Sequence, residues 1–283
     1  MSSIINVTNN NMKVGIIGAG VIGLSVASKI KEIIGNHMNI TIIADKHGCG
    51  TTTGGCGGLW EPYNLGKPPI EDINKWGQST YNYFIKLCHS KDAGISGCQM
   101  ITSYTFFEHP IEEPPAWSHI PSNFTLLTKD DIKKLYLPDR YISGYSYLTV
   151  VADQSYYLPY MRIKLESLNV KFEHRTVDSL HSELEYDILI NCSGLGATNL
   201  VGDTTMIPIR GQILKVKAPW MKHVWNFEPS NHYVIPLLEY VVLGGTSQMG
   251  DENTITDKSD TEHIIDGLCE MLPSLRDAPV VRL

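Results

Sequence analysis

Residues 13–30, KVGIIGAGVIGLSVASKI, place Gly18, Gly20 and Gly23 between a short β-branched apolar run and a run whose apolar residues recur at helical spacing. Few folds are open to a chain that passes from strand to helix through G-x-G-x-x-G. The first glycine makes the tight turn, the second lets a pyrophosphate approach the backbone, and the third allows the helix to pack closely on the strand. Free N–H groups at the helix N-terminus then offer positive potential to the phosphates. Residues 14–17 read as a buried strand, 21–33 as a helix and 39–45, NITIIAD, as a second strand, which together make a βαβ unit. Asp45 ends that strand about 20 residues beyond the glycines, where a carboxylate accepts from a ribose hydroxyl and repels a 2′-phosphate. The pattern predicts an α/β fold that holds a dinucleotide.

Composition narrows the function classes. A chain of 283 residues can form one large domain or two interleaved ones. Its formal charge of −7 and the lack of clustered Lys and Arg argue against a nucleic-acid binder. Cys49, Cys56, Cys88, Cys98, Cys192 and Cys269 have neither C-x-x-C pairing nor metal-ligand spacing, so they read as reduced thiols and no metal is expected. No run approaches the roughly 18 apolar residues of a membrane-spanning helix. No charged-then-apolar leader precedes Met12, so a soluble, intracellular protein with no membrane partner is the expectation. Residues 1–12 read as a loose Asn/Ser-rich extension. The histidines are too scattered to assemble a Ser-His-Asp set, and no nucleophile emerges.

Further along, residues 48–58 form a loop rich in glycine and threonine, and 67–140 alternate short periodic pieces with Pro-rich turns such as HPIEEPPAW. Residues 154–168 read as a helix despite Pro159, 170–172 as a strand, and 186–194, YDILINCSG, as a buried strand entering a second glycine turn. From residue 207, PIRGQILKVKAPW and YVIPLLEYVVLGGTSQM look antiparallel, and residues 268–272 close as a short helix. The expected architecture is a Rossmann-like dinucleotide domain of residues 13–63 and 145–206. Interleaved with it is a largely antiparallel β-sheet domain of residues 64–144 and 207–283.

Several stretches admit both a structural and a functional reading. In CGTTTGGCGGLWEPY, Thr51, Thr52 and Thr53 can bond phosphate oxygens and the backbone at Gly57, Gly58 and Leu59 can lie along an aromatic ring; a flexible surface loop explains the same residues equally well. The turn at Ser193 and Gly194 either approaches the nucleotide or simply ends a strand. Arg210 reads as a structural ion pair ahead of a carboxylate binder. Tyr233, in HYVIP, reads as a half-buried strand residue ahead of a phenol for an anionic substrate.

Taken together and in order, VGIIGAGVIGLSVA, ADKHGCGTTTGGCGGLWEPY, INCSGLGATNL, PIRGQILKVKAPWMKH and LGGTSQMGD resemble the D-amino-acid oxidase and D-aspartate oxidase family of FAD enzymes. The resemblance implies that the dinucleotide is FAD. It matches Gly18, Ala19, Gly20, Val21, Ile22 and Gly23 to the pyrophosphate turn, Asp45 to the adenosine ribose ligand with Lys46 following, and Thr52 and Thr53 to the phosphates. It also implies that Gly57, Gly58 and Leu59 lie along the isoalloxazine, that Val177 meets the adenine through its backbone, and that Ser193 and Gly194 form the second flavin-side turn. Tyr233 matches the tyrosine that contacts the substrate carboxylate. Glu61 stands where some relatives carry Gln.

The implied reaction is oxidative deamination of a D-amino acid, with dioxygen as the second substrate and a 2-oxo acid, ammonia and hydrogen peroxide as products. Two of the matching stretches look closer to D-aspartate oxidases, although Asn226 stands where those enzymes carry an Arg suited to a side-chain carboxylate. The family pattern continues past Leu283 through a strand bearing the Arg that clamps the α-carboxylate. Arg282 lies three residues before that position and does not take its role. A non-catalytic FAD-binding protein and a glycine or N-methyl amino acid oxidase are the alternatives. The resemblance implies a peroxisomal location, but VRL only partly matches S-K-L, which leaves a cytoplasmic one open.

Overall fold

The computed structural model describes residues 12–282. In chain order it forms strand β1 (Met12–Ala19), helix α1 (Val21–Ile34), β2 (Met38–His47), α2 (Ile70–Cys88), the single-turn α3 (Ala93–Ser96), β3 (Cys98–Phe107), β4 (Thr125–Leu127), α4 (Lys129–Lys133) and β5 (Ser143–Ala152). There follow α5 (Gln154–Ser167), β6 (Lys171–His174), β7 (Ile188–Asn191), α6 (Ala197–Val201), β8 (Ile209–Arg210) and β9 (Leu214–Val216). The chain then adds β10 (Val224–Glu228), β11 (His232–Pro236), β12 (Val241–Gly244), β13 (Gln248–Met249), α7 (Lys258–Met271) and β14 (Val280–Arg282). The extension expected over residues 1–12 lies outside the described residues except for Met12, which opens β1.

The chain divides into two compact units, the described residues up to Cys56 with Gln154–Ile207, and Gly57–Asp153 with the residues from Pro208 on. In the first, four parallel strands run in the order β6-β2-β1-β7. Parallel strands covered on both faces need continuous apolar runs, and Val14, Ile16, Ile17, Ile40, Ile42 and Ile43 are accordingly buried. α1 adds Leu24 and Ala27 from its inner stripe.

The second unit is an eight-stranded sheet in the order β14-β9-β12-β11-β10-β3-β5-β4, antiparallel throughout except where β10 runs parallel to β3. One face carries Phe106, Phe227, Val234 and Leu243 into a core closed by Ile264 and Leu268 of α7. The opposite face carries Ile101, Val151, Val224, Ile235 and Val242 in one cluster and Tyr145 and Tyr147, packed with Trp60, Tyr81 and Trp117, in another. Strand alternation sorts the two sets, because in-register neighbours point to one side of the pleat. Residues 57–63 and 145–153, grouped with the dinucleotide domain by the sequence reading, pack in this second unit. The cause is pairing: β5 runs its whole length against β3, while Trp60 N–H donates to Val150 O at 2.9 Å and Ala152 N–H to Gly58 O at 2.9 Å.

Two helices exceed what the sequence reading offered. α2 is 19 residues long within a stretch read as irregular, and α7 begins ten residues before the short helix expected at 268–272. The Asp257 side chain caps α7, accepting from Ser259 N–H at 2.7 Å and Asp260 N–H at 3.1 Å. Arg210 is structural, as the ion-pair reading has it. Its guanidinium donates to Asp260 Oδ2 at 2.5 Å, Gln212 Oε1 at 2.8 Å, Asn253 O at 2.9 Å and Ile255 O at 3.0 Å, tying β8 to the start of α7. Among the described residues no helix is long and apolar enough to cross a membrane.

α7 reaches the sheet through Gly267, where a Cβ would sit 2.1 Å from Nε2 of His232. That ring is buried, and its Nε2 donates to the His263 carbonyl at 3.1 Å, so it has little room to yield. Gly267→Ala gains about 1 kcal/mol of helix propensity but incurs an overpacking cost of about 1–3 kcal/mol. Urea denaturation is expected to show net destabilisation.

Candidate active site

In the first unit the loops leaving the carboxyl ends of the parallel strands carry the residues singled out in the sequence. β1 turns at Gly18, whose φ of +113° suits glycine and whose added Cβ would lie 2.2 Å from the Cys192 carbonyl oxygen at the exit of β7. At Gly23 a Cβ would meet the Gly18 carbonyl oxygen at 2.0 Å, so this glycine lets α1 pack against the turn. Gly20 differs: among the described residues, its chain neighbours aside, the one atom within 4 Å of its added Cβ is Thr53 Oγ1, at 3.2 Å. Its side-chain space is therefore nearly open, at the N-terminus of a helix of 14 residues. Val21 N–H in the first turn of α1 donates to Thr53 Oγ1 at 3.2 Å, which brings the threonine loop to the helix start. Ile22 in the same turn is 63% exposed, while Ala19 at the end of β1 is buried.

The neighbouring loops complete this edge. Asp45 and Lys46 are exposed near the end of β2, and Thr52 is exposed in the loop beyond. After β7, Cys192 N–H donates to Ile17 O at 2.8 Å, and Asn191 Oδ1 accepts from Ser193 N–H at 3.1 Å and Ser193 Oγ at 2.7 Å. Gly194 follows with φ +57°. Val177 leaves β6 on a segment anchored by Arg175, whose N–H donates to Ala44 O at 3.1 Å. The Arg175 guanidinium grips Glu183 in bidentate fashion, Nη1 to Oε1 at 2.7 Å and Nη2 to Oε2 at 2.6 Å. That pair holds the carboxyl of Glu183 below the usual carboxylate range. Sequence reasoning missed it, because two charges eight residues apart across an irregular segment have no periodic signature.

The second unit holds the other candidates. Gly57 lies against Ile235, whose Cδ1 would be 2.6 Å from an added Cβ, and Leu59 bridges Val151. The register of the sheet sets Gly244, Tyr233, Asn226, Thr105 and Tyr145 side by side in one row on one face. The Tyr233 ring lies directly over two glycines: a Cβ would fall 2.1 Å from its Cζ at Gly244 and 2.5 Å from its Cε1 at Gly245. Asn226 Nδ2 donates to Ser103 Oγ at 3.4 Å and Thr105 Oγ1 at 3.3 Å. At the far end of the row Tyr145 Oη donates to Glu61 Oε1 at 3.3 Å. Burial pushes the Glu61 carboxyl up to about 7; the hydrogen bond from Tyr145 opposes that rise and the Glu228 carboxylate adds to it.

The fold is shared with glycine oxidase from Bacillus cereus at TM-score 0.73 and 17% identity, over 95% of this chain and 80% of that one. The FAD-bound L-alpha-glycerophosphate oxidase from Mycoplasma pneumoniae gives TM-score 0.66 at 16% identity, over 95% and 81%. Residues 13–282 match the FAD dependent oxidoreductase family, and the chain belongs to it. It is 32% identical over 272 residues to the D-aspartate oxidase of Homo sapiens, covering 95% of this chain and 79% of that enzyme. With the D-amino-acid oxidase of Dictyostelium discoideum it shares 33% over 260 residues, covering 91% and 72%. The cofactor is FAD, and the residues present fit it: a bare glycine at a helix N-terminus for the pyrophosphate and an exposed carboxylate at the end of β2 for a ribose.

The glycines divide into two kinds, which substitution separates. Gly20→Ala is expected to leave urea stability nearly unchanged while weakening FAD binding about tenfold or more, roughly 1.4 kcal/mol, by fluorescence titration. Gly18→Ala, whose Cβ meets backbone, is expected to lower stability itself by about 3 kcal/mol.

Proposed function

We propose that this chain catalyses the FAD-dependent oxidative deamination of D-amino acids, D-aspartate among them. Substrate, dioxygen and water give the 2-oxo acid, ammonia and hydrogen peroxide. What most supports the reading is the row Tyr233–Asn226–Thr105, an array of hydrogen-bonding groups across one face of a rigid sheet in a chain whose cofactor is FAD. When bound, FAD supplies the acceptor for the hydride from the substrate Cα and passes the electrons to dioxygen.

The protein's share is binding and orientation. In this reading the first unit is the cofactor domain. Gly18, Ala19, Gly20, Val21, Ile22 and Gly23 seat the pyrophosphate, Asp45 accepts from the ribose, and Thr52 and Thr53 donate to phosphate oxygens. Lys46 flanks them, Val177 meets the adenine, and Ser193 with Gly194 forms the second turn. The second unit is the substrate domain, where Gly57, Gly58 and Leu59 present backbone to the flavin ring. Tyr233 donates its phenol to the substrate carboxylate, and its ring is held in orientation by the glycine pair beneath it. Likeness over 95% of this chain to a D-aspartate oxidase supports D-aspartate. The neutral amide of Asn226, itself donating to two hydroxyls, leaves the acidic side chain without a guanidinium there. Peroxisomal residence is part of the same proposal, and a fluorescent fusion tests it.

The visible spectrum of purified protein decides the central point. Anaerobic addition of D-aspartate is expected to bleach the flavin bands, and an oxidised spectrum that persists with a panel of D-amino acids would overturn the reading. Tyr233→Phe removes one hydrogen bond to a charged group, about 1.5–3 kcal/mol. It is expected to lower kcat/KM by roughly ten- to a hundredfold, with the flavin spectrum retained.

A further inference from the structure

Glu61 accepts a hydrogen bond from Tyr145, at the end of the row that carries Tyr233 and Asn226. Residues 57–60 run beside β5, Leu59 bridging Val151 and Trp60 bonding Val150, and this brings Glu61 to Tyr145. Tyr145 is in register with Thr105, Thr105 with Asn226, and Asn226 with Tyr233. A second carboxylate stands on the same face: Glu228, two residues beyond Asn226 on β10, in register with Phe107 and coupled electrostatically to Glu61. Parallel to the main row run Val224–Ser103–Tyr147 on one side and Glu228–Phe107–Ser143 on the other. Among the described residues of these three rows there is no Lys or Arg.

We propose that Glu61 is a specificity-determining residue that reads the charge of the substrate side chain, admitting an acidic one when its carboxyl is protonated and excluding it when ionised. The inference rests on the D-amino-acid oxidase reading and names the group that sets its substrate class. A protonated carboxyl donates one hydrogen bond to a side-chain carboxylate, whereas an ionised one, desolvated and with no cation in these rows, repels it. The titratable groups that act on Glu61 leave that choice to its own proton. Tyr145 and Tyr147 of β5 are phenols held neutral by burial, and the exposed phenol of Tyr63, on its own segment, is also raised, with the Glu228 and Glu61 carboxylates contributing. Glu228 of β10 is itself raised by burial, with His109 lowering it. The environment sets the change of Glu61 near neutrality, well above the side-chain carboxyl of D-aspartate, which is ionised throughout that range.

D-aspartate and D-asparagine are near-isosteric and differ in side-chain charge, so the ratio of their kcat/KM values isolates the effect from pH changes shared by both. The ratio is expected to fall about tenfold between roughly pH 6 and roughly pH 8.5. Glu61→Gln, which keeps shape and hydrogen bonding, is expected to make it nearly independent of pH. Tyr145→Phe removes a donor to the ionised form and is expected to move the fall to higher pH. A ratio that stays flat in the wild-type enzyme, or one that keeps its full slope in Glu61→Gln, overturns the role of Glu61 while leaving the oxidase reading intact. If neither substrate reduces the flavin at any pH, the oxidase reading itself fails and takes this inference with it.

Discussion

The contact on which the first unit depends is the meeting of two backbones, where Gly18 passes so close to the Cys192 carbonyl that a Cβ would be 2.2 Å from its oxygen. Because β1 and β7 can come together there, both strands end at one edge and their exit turns lie side by side. Gly23 repeats the device one helical turn on, pressing α1 onto the Gly18 carbonyl and aiming its N–H groups over the same edge. The shape of this turn thus follows from two positions where side chains have no room. At Gly20, by contrast, a side chain would nearly fit.

In the second unit the organising constraint is strand alternation across a wide sheet. Phe106, Phe227, Val234 and Leu243 commit one face to α7 and the main core. That leaves Thr105, Asn226 and Tyr233 on the other face, and their hydroxyl, amide and phenol groups line up because two separate pairings hold one register. A slip of one residue in any pairing would send a member of the row into the core. The alignment of the row depends on rigid strands more than on loops. The glycines under Tyr233 serve the same end by giving a large ring a flat seat.

The contrast between legible and hidden parts has a physical basis. The βαβ unit could be read because its signals are local: β-branched runs, glycine spacing and an acidic strand end all occur within residues 13–45. α2 was hidden because Asn74, Lys75, Gln78, Ser79, Thr80 and Asn82 crowd its length and only Tyr81 and Leu87 are fully buried. The first half of α7 was hidden because its start is marked by one capping side chain, Asp257, in a polar stretch. Glu61 could be flagged by position but not understood. Its carboxyl is pushed up by burial, opposed by Tyr145 and reinforced by the Glu228 carboxylate, and these two residues lie 84 and 167 positions away.

The sequence by itself determined that there is a dinucleotide unit, which residues form its turn, and, through five ordered stretches, the family. These are properties of short segments whose backbone needs are met by their own residue types. Tertiary structure alone decided that residues 57–63 belong with the antiparallel sheet, that Arg210 serves the fold, that Arg175 and Glu183 brace the segment bearing Val177, and that Glu61 joins the row of Tyr233. Each of these depends on pairing register or burial between distant segments, and such contacts acquire their energy only when the chain has folded and water has been excluded.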